Sequence, residues 1–201
     1  MAGFVQIVEF QTQRFDEGEK LVDEYEKATE GTRTAGRAVT GRDRDEPDRY
    51  ATIVWFPSYE EAMRNSEMPE TQKLSAGLAE LADGPPTFHN LDIARELVFD
   101  QLGAGFVQLI QFRTTQHDEL DRVGDEFVAA TEGKRTVLRA TWGRDRDQAD
   151  AYVNIAEFAS YDDAMRNSEL EETQAFAAQM AAIVDGEPTF RNLDVVRTME
   201  A

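Results

Sequence analysis

The chain repeats itself. Gly3-Phe4-Val5-Gln6 returns as Gly105-Phe106-Val107-Gln108, an offset of 102 residues that holds without a gap to the end. Thr29-Glu30-Gly31 returns as Thr131-Glu132-Gly133, Gly41-Arg42-Asp43-Arg44-Asp45 as Gly143 to Asp147, and the run from Ala62 to Glu67 (AMRNSE) as Ala164 to Glu169. Roughly half of the aligned positions are identical, beyond any chance level. A period near one hundred residues is the size of a domain rather than of a solenoid unit. The 201 residues therefore read as one module at 1–98, a linker at 99–104 and a second module at 105–201.

Each copy has the same element order. Phe4 to Phe10 is rich in β-branched and aromatic residues and too short for a helix, so it is the first strand. Asp16 to Thr29 puts Leu21, Val22, Tyr25 and Ala28 on one helical face, with acids in its first turn and Gly31 as terminator. Thr34 to Thr40 and Tyr50 to Phe56 are two further strands joined as a hairpin by the charged run Gly41 to Arg49. Ser58-Tyr59-Glu60-Glu61 is a capping box that starts a short helix, and Pro69 suits the first turn of another carrying Leu74, Leu78 and Leu81. Thr87 to Ala94 is the last strand. The order β-α-β-β-α-β predicts a ferredoxin-like module, an antiparallel four-stranded sheet with helices on one face. Strands apolar on both sides need cover on the other face too, which the second copy can supply. The expected fold class is thus α+β, two such sheets packed face to face.

Charge and composition remove whole classes of function. Lys and Arg total 21 against 40 for Asp and Glu, a formal charge of −19 that repels phosphate backbones and anionic lipids, so neither nucleic acid nor membrane is an expected partner. Without cysteine, disulfides, thiolate nucleophiles and iron–sulfur clusters are excluded. The N-terminal run has no basic segment and no long apolar stretch, so it reads as a strand and not an export signal, and the expected compartment is the cytoplasm. The only histidines are His89 and His117, too few for a His-rich metal site, so no metal is expected. The alternating charges of Gly-Arg-Asp-Arg-Asp suit a self-paired loop. Asp43, Asp45 and Asp48 lack the Gly and terminal Glu of a calcium loop.

With this topology, the capping-box segment Ser58 to Glu67 and the last strand Pro-Thr-Phe-His-Asn-Leu-Asp, the chain resembles the dimeric α/β-barrel superfamily, nearest to its antibiotic-biosynthesis-monooxygenase-like group. The resemblance spans both copies. It implies an intramolecular pseudo-dimeric α/β barrel, with room for further homodimerisation, and a pocket between sheet and helices in each module. It also implies an activity that, in some members, oxidises quinol-like aromatics without a cofactor. The oxidative branch and the haem-degrading branch both use a His on the helical segment after the third strand. Asn65 and Asn167 hold that place here, which argues against haem ligation and against His-based acid–base chemistry at that position, and no cofactor is expected.

The copies disagree at informative positions. Trp55 is replaced by Glu157 and Trp142 by Thr40, so two pockets cannot be chemically equal; either indole could stack on a flat aromatic ligand. Arg37 and Arg139 fall mid-strand in register, where a guanidinium needs a carboxylate such as Glu9, Asp92 or Asp194, or a ligand's anionic group. His89 shares a strand face with Thr87 and Leu91, and Asn65 and Asn167 could offer amides to an oxyanion. Trp55, Arg37, Trp142 and Arg139 are therefore the candidate substrate contacts, with Asn65, His89 and Asn167 the candidate catalytic groups. Two functions fit: a cofactor-independent monooxygenase acting on an aromatic or polyketide-like molecule, or a non-catalytic binding or stress-related protein using the same pocket.

Overall fold

A computed structural model describes residues 3–200. The first copy forms β1 (Phe4–Gln11), α1 (Phe15–Ala28), β2 (Arg37–Asp43), β3 (Arg49–Phe56), α2 (Tyr59–Glu67), α3 (Pro69–Leu81) and β4 (Thr87–Val98). The second forms β5 (Phe106–Arg113), α4 (His117–Ala130), β6 (Val137–Asp145), β7 (Ala151–Phe158), α5 (Tyr161–Ser168), α6 (Glu171–Ile183) and β8 (Thr189–Glu200). The fold is the α+β class read from the sequence, a ferredoxin-like βαββαβ module in tandem. Strand neighbours run β4-β1-β3-β2 in one copy and β8-β5-β7-β6 in the other, all antiparallel. The register sets Ile7 opposite Ile53 and His89, and Leu109 opposite Ile155 and Arg191.

Local chemistry explains the boundaries. Ser58 Oγ accepts from the Glu61 N–H at 3.3 Å, and Ser160 Oγ from the Asp163 N–H at 3.2 Å, so both short helices begin on a serine cap. The Glu61 carboxylate pairs with Arg64 on the next turn. β2 starts at Arg37, three residues later than Thr34. Thr34 is held off the ladder by its hydroxyl's bond to Glu61 O at 2.6 Å and its N–H's bond to Asn65 Oδ1 at 3.4 Å. At the other end β2 runs on to Asp43, whose Oδ1 accepts from the N–H groups of Asp45 and Glu46 and closes the turn.

The compact units do not coincide with the repeats. One holds the residues up to Ile93 together with those from Val195 on; the other is Ala94–Asp194. The division falls inside β4 and β8 because the outer half of β4 borders β6, where Phe99 and Asp100 both donate to Leu138 O at 2.8 and 3.1 Å. Residues 99 and 100, read as the start of a linker, are thus hydrogen-bonded into the second unit. The outer half of β8 borders β2 in the first.

Alternation along the strands sorts side chains by face. Ile110 and Phe112 pack with Leu120 and Val123 of α4 and Ile183 of α6, while Val107 and Leu109 point the other way and are fully buried. In the first unit Phe4, Val54 and Phe56 meet Tyr59, Ala62 and Met63 on α2, with Val5, Ile7 and Ile53 on the opposite, equally buried face.

A close approach at the start of β5 gives a test. A Cβ on Gly105 would sit 2.4 Å from the Ala159 carbonyl oxygen, a backbone atom that cannot move alone, whereas one on Gly103 meets nothing within 4 Å. Gly105→Ala should cost about 1–3 kcal/mol in urea unfolding, and Gly103→Ala should stay within about 0.5 kcal/mol of the parent.

Candidate functional site

Between the sheet of the second unit and helices α4 and α6 lies a cavity of about 380 Å³. The sheet contributes Ile110, Phe112, Ala156 and Trp142; the helices contribute Phe127, Phe176 and Met180. The Trp142 indole stands edge-on to Phe112 at 6.3 Å and 77°, and is tilted against Phe176 at 6.3 Å. Phe127 and Phe176 stack at 4.3 Å. Room for the indole comes from Gly124, where a Cβ would lie 3.6 Å from the Trp142 ring and 3.2 Å from Arg95 Nη1; the first copy has Val22 there.

The lining is mainly apolar, with polar side chains such as Gln108, Arg135 and Asn167 interspersed, and two of its polar atoms stand apart. Asn154 Oδ1 and Thr173 Oγ1 are buried with no hydrogen-bond partner among the described residues. Leaving a buried polar group unpaired costs about 1–3 kcal/mol. The first copy avoids that cost at the matching positions. Thr40 and Thr52 share a hydrogen bond at 3.0 Å, and the Tyr25 hydroxyl accepts from Thr71 Oγ1 at 3.4 Å while donating to Asn65 Oδ1 at 3.4 Å. Trp142, Asn154 and Phe127 stand where the first copy has Thr40, Thr52 and Tyr25, so both closures are lost. Asn167 keeps one partner, its Oδ1 accepting from the Thr136 N–H at 3.2 Å, and lines the cavity.

At the rim Arg95, bonded to Asp125, and Trp142 divide the cavity from a second cleft of about 180 Å³. There the Tyr152 hydroxyl meets His117 Nδ1 at 2.7 Å, and His117 Nε2 lies 3.4 Å from Asp150 Oδ1. Asp150, at φ 60°, occupies the left-handed region uncommon for a non-glycine residue. Burial pushes the Tyr152 hydroxyl pKa above its ordinary value, with Arg144 opposing. His117 is thus tied to a tyrosine and an aspartate. Phe15 at its place in the first copy stacks on Tyr50 at 4.3 Å.

Of the residues singled out in the sequence, the fold brings Trp142 and Asn167 together on one cavity. Arg139 lies on the same strand as Trp142 but points to the other face, reaching Gln101 Oε1 at 3.5 Å and sitting in register with the buried Glu157. In the first unit the Arg37 guanidinium lies 4.3 Å over the Trp55 ring, on the face away from α2. Glu9, proposed as an arginine partner, stands 3.3 Å from His89 Nε2. Asn65 is engaged by Tyr25 and Thr34. The residues that sequence reasoning passed over are Arg95, Gly124, Asn154 and Thr173. The signal for Gly124 and Asn154 was present as differences between the copies, at Val22 and Thr52.

Among the described residues no group of three or more His, Asp or Glu side chains could hold a metal ion, and no helix is long and apolar enough to cross a membrane. No family model and no curated protein matches the chain. The fold itself is that of solved monooxygenase-like proteins. A candidate monooxygenase from Fusobacterium nucleatum matches 99% of this chain and 94% of its own, with a TM-score of 0.80 at 12% identity. One from Lactobacillus acidophilus matches 100% and 97%, at 0.77 and 10%. An anthrone oxidase-like protein matches 100% and 94%, at 0.68 and 17%. The resemblance read from the sequence holds at the level of fold, and the intramolecular pair of modules is part of what is shared.

The difference in polar closure is directly testable. Phe127→Tyr puts back the hydroxyl that Tyr25 supplies in the first copy, within reach of Thr173 and Asn167. It should raise stability by about 1 kcal/mol, read as a higher urea midpoint with unchanged slope.

Proposed function

We propose that the second module binds a flat aromatic or polyketide-like molecule in its sheet–helix cavity and oxidises it as a cofactor-independent monooxygenase. The observation that carries this reading is the pair of unpartnered polar atoms, Asn154 Oδ1 and Thr173 Oγ1, in a mainly apolar cavity of ligand size. Polar atoms so placed are satisfied by a ligand's hydroxyl and carbonyl groups. Trp142 and Phe176 supply ring faces and edges for a flat body. The likeness to an anthrone oxidase-like protein supports the choice of ligand class.

In such a reaction the substrate anion itself reduces dioxygen. One oxygen atom becomes a ring carbonyl, the other leaves as water, and the methylene carbon is oxidised. The protein's part is to orient the substrate, exclude water and stabilise developing charge. Asn154 and Thr173 would anchor substrate oxygens. Asn167, its Oδ1 held by Thr136, keeps its amide N–H₂ as a donor to the reduced oxygen. Arg37, Trp55, Asn65, His89 and Arg139 have no part in this reading.

One observation favours the second reading, a non-catalytic ligand-binding protein. No Asp, Glu, His or Tyr side chain lines the cavity among the described residues, so no group inside it takes the substrate's proton. Oxygen uptake separates the two. The full chain incubated with anthrone should consume dioxygen above the buffer rate and form the quinone, and Asn154→Leu or Trp142→Ala should lower that rate about tenfold or more. Tight binding without uptake would favour the carrier, and absence of binding would remove both readings.

A further inference from the structure

We infer that the ligand of this cavity is an anion, a flat aromatic body with a carboxylate held at the rim by the Arg95 guanidinium; this rests on the ligand-binding reading above. Arg95 lines both the cavity and the adjoining cleft, and its side chain is only 26% exposed. Among the described residues its one ion-pair and hydrogen-bond partner is Asp125, through Nη2.

The matching residue of the other repeat shows what such a guanidinium can hold. Arg197 binds three carboxylates of α1 at once, Asp23 at 2.8 Å and Glu19 and Glu26 at 3.0 Å. Burial opposes its charge, but hydrogen bonds to Asp23, Glu19 and Glu26 more than restore it and lift its pKa above the ordinary value.

Around Arg95 that cage is dismantled at successive positions along one face of α4. Asp125 keeps the place of Asp23. Asp121, one methylene shorter than Glu19, lines the cleft and does not bond Arg95; Val128 replaces Glu26 with an apolar wall of the cavity. Gly124 replaces Val22 and clears the space within 3.2 Å of Nη1. One carboxylate and one side chain have gone, and a second carboxylate has been shortened out of bonding distance, from a charged fork whose remaining donors border a mainly apolar cavity. A guanidinium presents a planar, five-donor fork that fits a carboxylate by two parallel bonds, more strongly beside low-dielectric walls than in water. A ligand carboxylate would stand where Glu26 stands in the first copy, its ring system extending past Val128 and Trp142 into the cavity.

The test titrates the full-length protein with anthracene-2-carboxylate and with the uncharged, near-isosteric anthracene-2-carboxamide, followed by ligand fluorescence at neutral pH. The acid should bind roughly ten- to a hundredfold more tightly than the amide. R95Q should bring the acid's affinity down to the amide's. V128E, which puts back the first copy's carboxylate without touching the arginine, should do the same. Equal affinities in the parent protein, or a preference that survives in either variant, would overturn the anion assignment and leave the cavity reading standing. Failure of both probes to bind the parent protein would overturn the two together.

Discussion

A strand can show a given side chain to only one face of its sheet, and both faces of these sheets are buried. Ile110 and Phe112 look toward α4 and α6, while Val107 and Leu109, at alternate positions of the same strand, look in the opposite direction and are fully enclosed. That constraint decides which residues can belong to the cavity. Trp142 and Asn154 are opposite each other in the register and on the helix side; Arg139 and Glu157 are also opposite each other, on the far side. Trp55 and Trp142 thus occupy corresponding sheets and cannot have corresponding roles. A slip of one residue in either ladder would exchange the two sets.

On this common scaffold the copies settle their buried polar groups differently. In the first, a threonine pair and the Tyr25 hydroxyl satisfy groups between sheet and helices. The second replaces these with an indole, an amide and a phenylalanine, and leaves two polar atoms without partners. Two such groups, at about 1–3 kcal/mol each, are a large share of a domain's usual margin of about 5–15 kcal/mol. A local rule broken at a cost of that size, where the repeat shows it can be kept, is the mark of a site shaped for something other than stability.

The repeat, the element order and the serine-capped short helices were legible in the sequence because they rest on local patterns: an offset, a period, a cap. The start of β2 was not, since what removes Thr34 from the ladder is a pair of bonds to α2, some thirty residues on. The unit boundaries were hidden for a related reason. The last strand was read as ending at Ala94, and its continuation to Val98 is specified by neighbours on β6 rather than by its own alternation. Arg95 was passed over with it, as the first residue beyond that expected end. Trp142 and Asn167 could be singled out by type and place. Trp55 and Arg37 drew attention by the same criteria, but a composition argument does not say which face of the sheet a residue takes.

A ligand anion approaching a chain of formal charge −19 meets an unfavourable field, and whether that field or the local guanidinium governs binding is a question of magnitude. Two unit charges 20 Å apart in water interact by about 0.2 kcal/mol, and at physiological salt a screening length of about 8 Å reduces this further. The same charges at about 4 Å, near a protein surface with an effective dielectric constant of about 20, interact by about 4 kcal/mol. Distant carboxylates therefore slow the encounter and screen out with salt, whereas the few charges within one or two side-chain lengths of the rim set the affinity. That places the weight on α4. A glutamate at position 128 would act at contact distance on Arg95, and a valine there leaves that distance to the ligand.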